Sequence, residues 1–283
     1  MKLDRAREHL EELAAEVRKW IEPYTTGDRI HLGHDGTWYI LFSPAGGVLP
    51  SARVSAIAGD FVQNLRAALD YMVCQLVVRE GKSPNDRNEF PILESASRFR
   101  DEVKLAKRRE KTGLYGIPVD GDAWKVIEQA QPFNRVPVGP TGDPLATPYG
   151  SPIAILRRLS NADKHQTLLF QLPIPEGSTL LTAVGWSDSV RLAEHRIAGL
   201  PISIETPTEI LRLRFEPAGR DPGMYVKGKI SLNPTFGELG VKPMPDGFIY
   251  GTQVTVGAGT TSLVQTVLDV AEAIAALPNV VGW

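Results

Sequence analysis

The sequence predicts an α+β protein: a helical portion with an inserted β-hairpin, followed by an antiparallel β-sheet or small sandwich and a C-terminal helix. Three observations carry this. Apolar residues in the first half recur at three and four positions, the period of an amphipathic helix. Asp35-Gly36 sits between two β-rich runs. Beyond about Leu168, short runs rich in Val, Ile, Leu and Thr alternate with turn residues until a last helical pattern near the end. The expected division is residues 1–167, mainly helical and carrying the polar clusters, and residues 168–283, β-rich with the C-terminal helix.

The first helix runs from Leu3 to about Ile21, with Leu3, Ala6, Leu10, Leu13, Ala14, Val17 and Trp20 along one stripe, and Glu22-Pro23 stops it. Arg29–Gly33 and Thr37–Phe42 flank Asp35-Gly36, a pair suited to the positive φ angles of a hairpin turn. A long helix spans about Ser51 to Arg79 with Phe61, Leu65, Leu69, Met72 and Leu76 on its core face. Extended Glu89-Phe90-Pro91-Ile92 follows, then a shorter helix capped by Ser95 or Ser97 and reaching about Glu110, and another over Ala123–Ala130 capped by Asp122. Gln131 to Gly150 is rich in proline and glycine and reads as a long loop, a class often functional. Ser151-Pro152 then starts a helix, serine as cap and proline at the first helical position. Strands are expected at residues 179–184, 189–193, 202–205, 209–215, 224–232 and 248–256, and the last helix at about 260–277. There, Leu263, Val264, Val267, Val270, Ala271 and Ile274 share one side.

With 283 residues, 42% apolar and 23% charged, the chain has an ordinary globular composition. A formal net charge of -2 argues against strong nonspecific affinity for nucleic acid or anionic membrane. Cys74 is the sole cysteine, which excludes an intramolecular disulfide and a cysteine-rich zinc site. The charged start Met1-Lys2-Leu3-Asp4-Arg5 is unlike a signal peptide, and no apolar run approaches the ~20 residues of a membrane span. The expectation is a cytoplasmic protein with no membrane partner.

Two polar clusters interrupt these apolar patterns. In the long helix, at 100° per residue, Asp60, Asn64 and Tyr71 fall on one line, while Gln63, Arg66 and Asp70 lie on the adjoining flank. Arg66 and Asp70, four apart, can pair. The small neighbours Ala67, Ala68 and Cys74 would let a ligand or another backbone come close. The second cluster is Ser160-Asn161-Ala162-Asp163-Lys164-His165. Continuing the helix past Leu159 puts Asp163 on the core side and turns Arg157, Lys164 and His165 away. A core-facing carboxylate needs a strong partner, and Arg66 is the expected one. If the helix instead ends at Ser160-Asn161, Asp163 is a cap or turn residue. Together the clusters define a candidate site: Arg66, Asp163 and His165 for catalysis, with Asp60, Asn64, Asp70, Tyr71, Asn161 and Lys164 for binding. Solvated helix faces and structural helix-helix pairing are the plainer readings of the same residues.

These stretches resemble a large group of uncharacterised bacterial and phage proteins. The shared pattern here is Asn64-Leu65-Arg66-Ala67-Ala68-Leu69-Asp70, then Phe90-Pro91-Ile92, then Asn161-Ala162-Asp163-Lys164-His165. The resemblance covers about residues 50–170 and implies no known activity. A weaker resemblance is to HEPN domains, helical modules of RNA-cutting toxins and defence proteins, whose signature is an arginine and a histidine separated by four to six residues. Arg66 takes the place of that arginine, Tyr71 stands where a spacing of four puts the histidine, and His165 is the imidazole available from the other cluster. This resemblance implies an RNA-directed module linked to defence, toxin or phage biology.

Other chemistry finds little footing. The chain has no P-loop, HExxH or G-x-S-x-G motif; Gly185-Trp186-Ser187-Asp188-Ser189 lacks the final glycine. Gly257-Ala258-Gly259 precedes a helix without a phosphate fingerprint, and His31, His34 and Asp35 read as an exposed turn before a metal site. Lys104, Lys107, Arg108, Arg109 and Lys111 form the densest basic run, a solvated face or a contact for RNA phosphates. No cofactor and no metal are expected. The expected partner is RNA or a small polar or anionic ligand bound by a non-enzymatic module with the Gln131–Gly150 loop as lid. An interaction or scaffold protein is the third reading, and a homo-oligomer fits any of them.

Overall fold

A computed structural model describes residues 2–21, 30–42, 50–107, 112–119, 121–135, 150–165, 168–171, 184–197, 208–218, 221–226, 235–237, 242–243, 249–250 and 253–278. In chain order the elements are α1 (Lys2–Ile21), β1 (Ile30–Leu32), β2 (Trp38–Phe42), α2 (Ala52–Arg79), α3 (Ala96–Lys107), α4 (Asp122–Gln129), a 3-10 turn (Pro132–Asn134) and α5 (Pro152–His165). There follow β3 (Leu169–Gln171), β4 (Val184–Gly185), β5 (Arg191–Ile197), β6 (Thr208–Glu216) and β7 (Tyr225–Val226). The last are β8 (Thr235–Gly237), β9 (Lys242–Pro243), β10 (Ile249–Tyr250), β11 (Gln253–Thr255) and α6 (Ala258–Ala275). The protein is α+β, with six α-helices and a four-stranded antiparallel sheet among the described residues.

The chain forms two compact units: Met1–Glu12 with Ala56–Leu169 and Gly237–Trp283, and Leu13–Ser55 with Phe170–Phe236. This grouping differs from a linear split at 167/168. The hairpin belongs with the strands because β2 pairs with β6, and α6 belongs with the helices because it packs on α4 and α5.

In the β unit the sheet order is β1-β2-β6-β5. Hairpin register pairs Ile30 with Ile40, His31 with Tyr39 and Leu32 with Trp38. Gly36 adopts φ 75°, and Asp35 accepts from Thr37 N–H at 3.1 Å and Thr37 Oγ1 at 2.6 Å, so the Asp-Gly turn forms for the expected reason. Alternation on β6 buries Leu211, Leu213 and Phe215, while Arg212, Arg214 and Glu216 lie on the other face. On that face Arg212 reaches Asp35 at 3.1 Å, bonds Glu209 and Thr37, and sits 5.5 Å from the Tyr39 ring centre, against which His31 stacks. Asp35 is therefore committed to the turn and to Arg212. No His/Cys/Asp/Glu group suited to a metal exists among the described residues. The strands expected at 202–205 and over most of 179–184 lie outside the described residues.

In the helical unit, α2 buries Phe61, Leu65, Leu69, Met72 and Leu76, the expected face. It ends in a glycine cap: Gly81 has φ 68°, its N–H reaches Val78 O and Lys82 N–H reaches Val77 O, the paired bonds of a Schellman motif. α4 starts one residue earlier than expected. Extended Gly121 is its N-cap, and Asp122 lies in the first turn, bonded to Lys125 rather than capping. Ser151 caps α5 as expected, its Oγ 3.4 Å from Ala154 N and its carbonyl accepting from Ile155 N–H. All six expected core residues of α6 are buried. No helix among the described residues is long and apolar enough to cross a membrane.

Candidate functional site

In the helical unit an irregular strap, residues 89–94, is bonded by α2, by α5 and by Gln131 at the end of α4. Phe90 and Ile92 point inward and are 0% and 3% exposed. A part-buried segment outside helix and strand has backbone groups to satisfy but no strand beside it. Side chains take that role. Phe90 N–H donates to Asp70 Oδ1 at 2.9 Å, and Arg66 Nη1 donates to Phe90 O at 2.8 Å. Gln131 Nε2 donates to Pro91 O, and its Oε1 accepts from Leu93 N–H, both at 2.9 Å. Arg157 Nη1 donates to Ile92 O at 2.8 Å, while Nη2 donates to Glu94 Oε1 at 3.1 Å. Glu89 N–H donates to Gly113 O at 3.1 Å.

Arg66 and Asp70 do pair along the helix, Nη2 to Oδ1 at 3.0 Å, and Glu89 adds a second carboxylate 3.6 Å from Arg66. Both terminal nitrogens of Arg66 are thus engaged. The expected Arg66–Asp163 pair does not form. Asp163 Oδ2 instead accepts from Gln63 Nε2 at 3.0 Å, and the same amide donates to Ser160 O at 3.1 Å. Gln63 precedes Arg66 by almost a full turn of α2, so α5 meets the helix at Gln63 and Gly59 while Arg66 reaches the strap. α5 does continue through His165, so Asp163 is neither cap nor turn residue. It is half-buried, Lys164 and Asn161 are exposed, and the side chain of His165 lies outside the described residues. Arg157, expected to point away, reaches back to the strap. Asp60 is exposed, Asn64 donates to Asp60 O at 2.7 Å, and Tyr71 is 50% exposed.

Thus Arg66 and Asp70 join the strap, and Gln63 joins Asp163, as two neighbouring networks. Two participants are not marked by the local pattern: Arg157, on the side turned away from the core, and Gln131, at the start of a loop; Gln63 lies on the expected polar flank, but its partner Asp163 is not the one the pattern suggests. Residues 136–149 of that loop, the expected lid, lie outside the described residues, as do Arg108, Arg109 and Lys111 of the basic run. Lys104, described, bonds Asp101 at 2.9 Å.

Burial pushes the Asp70 carboxyl above its ordinary range, against the opposing pull of Arg66 and the Phe90 N–H; Glu89 adds to the rise and Lys164 opposes it. Burial likewise raises Glu102, which accepts from Gly113 N–H, and the Cys74 thiol, where Asp70 adds to the effect. A carboxyl whose folded pKa exceeds its unfolded one contributes stability that is full below the unfolded value, near 4, and lost as pH rises through the folded value. Wild type should therefore lose stability relative to Asp70→Asn across that window. Urea midpoints of the two proteins at stepped pH measure this, and a constant difference would contradict it.

Gly59 of α2 faces the Asp163 carboxylate of α5. A Cβ there would lie 2.2 Å from Asp163 Oδ1 and 3.0 Å from its Cγ. Glycine to alanine inside a helix ordinarily gains about 1 kcal/mol. Here the added methyl should displace Asp163 from Gln63, and overpacking of about 1–3 kcal/mol should reverse the sign. Asp163→Ala alone should cost about 1.5 kcal/mol, the low end for a hydrogen bond to a carboxylate, because the position is only half-buried. In that background Gly59→Ala should become stabilising. The same sign for Gly59→Ala in both backgrounds would refute the contact.

Comparison with family models, curated proteins and solved structures finds no match to this chain.

Proposed function

We propose that the chain is a non-enzymatic binding module, in which the strap and its three flanking segments form a rigid frame for a recognition surface on α2 and α5. One observation carries this reading: Arg66, on which the catalytic alternative depends, spends both terminal nitrogens on the Phe90 carbonyl and the Asp70 carboxylate. The candidate residues left facing solvent are Asp60, Tyr71, Asn161 and Lys164. These suit a small polar or anionic ligand: one ring, one amide and one ammonium, with a carboxylate one end away.

A thermal-shift panel of nucleotides, metabolites and short RNA oligonucleotides tests it. A ligand at a hundred times its Kd should stabilise by about 2.7 kcal/mol. Tyr71→Ala and Lys164→Ala, which lie outside the strap contacts, should abolish that shift while leaving the unliganded melting temperature within a degree or two. A panel without any shift removes the reading's support.

An RNA-directed, HEPN-like module is the second reading. Its favouring observation is that Tyr71 is half-exposed next to Asp70, whose carboxyl feels the charge of Lys164. A ring and a cation so placed suit a stacked base and its phosphate. Cleavage of total RNA by the purified protein would replace the first reading with this one.

A further inference from the structure

We draw no further inference here: the strongest candidate, the cleft of about 300 Å³ between α3 and α4 lined by Phe99, Val103, Val119, Trp124, Lys125 and Glu128, is an apolar groove, and nothing in the structure shows what covers it.

Discussion

Arg66→Ala is expected to cost about 3 kcal/mol of folding stability at neutral pH. That is the low end of the range for breaking a buried pair from one side, because a third of the Asp70 side chain still reaches water. Two losses coincide. Asp70 keeps its charge without the guanidinium that offsets its burial, and the Phe90 carbonyl loses its donor. The cost should shrink in acid, where Asp70 escapes by taking up a proton. Arg66→Ala with Asp70→Asn should recover part of the loss, since the second change removes the uncompensated charge. Arg66→Lys should fall between, because a single ammonium cannot span carbonyl and carboxylate in the fork geometry of arginine. Urea unfolding of the four proteins at two pH values measures each step. A loss below 1 kcal/mol for Arg66→Ala at neutral pH would mean the pair and its carbonyl bond add nothing. The arginine would then again be available for chemistry.

The parts of the fold that were legible in the sequence are those written in local pattern. The α2 core face, the Asp35-Gly36 hairpin, the Ser151 cap and the apolar side of α6 each follow from neighbours within a few residues, and each forms as expected. The polar clusters were visible as departures from that pattern, and the helix flank holding Gln63, Arg66 and Asp70 was placed correctly. Their partners were not legible, because they depend on long-range geometry. Nothing local says that Arg66 meets a carbonyl 24 residues away, or that Arg157 meets one 65 residues away. Pairing charge with charge led to Asp163, whereas the strap's need for backbone donors and acceptors took precedence. One signal was present: Pro91 in a short apolar run cannot lie inside a sheet ladder, so a part-buried Phe90-Pro91-Ile92 had to recruit side chains. The joint occurrence of the Arg66–Asp70 and Phe90–Ile92 stretches in this chain then follows from a single packing arrangement.

Gln131 is the strictest test of that arrangement, because its side chain is wholly buried and carries no charge. It sits just past α4, where its own N–H donates to Glu128 O and closes the helix end. From there its amide nitrogen meets Pro91 O and Ile127 O, and its oxygen meets Leu93 N–H, all at 2.9 Å. Gln131→Leu keeps most of the volume and removes every one of these bonds. The Leu93 N–H and the Pro91 carbonyl, both part-buried, would then lose their protein partners, at about 1–3 kcal/mol each. The expected loss is therefore roughly 3 kcal/mol or more, against about 0.5–1.5 for Asn134→Ala, whose exposed amide makes one bond to Glu128 O. Gln131→Glu separates packing from polarity. It retains an acceptor for Leu93 N–H but sets a carboxylate against the Pro91 and Ile127 carbonyls. It should be strongly destabilising at neutral pH and recover in acid, where a proton restores a donor. Hydrogen exchange at the Leu93 amide gives a local readout: it should accelerate in Gln131→Leu beyond what the global loss explains. A Gln131→Leu protein within 1 kcal/mol of wild type, with Leu93 still protected, would show that the strap is held by the burial of Phe90 and Ile92 alone.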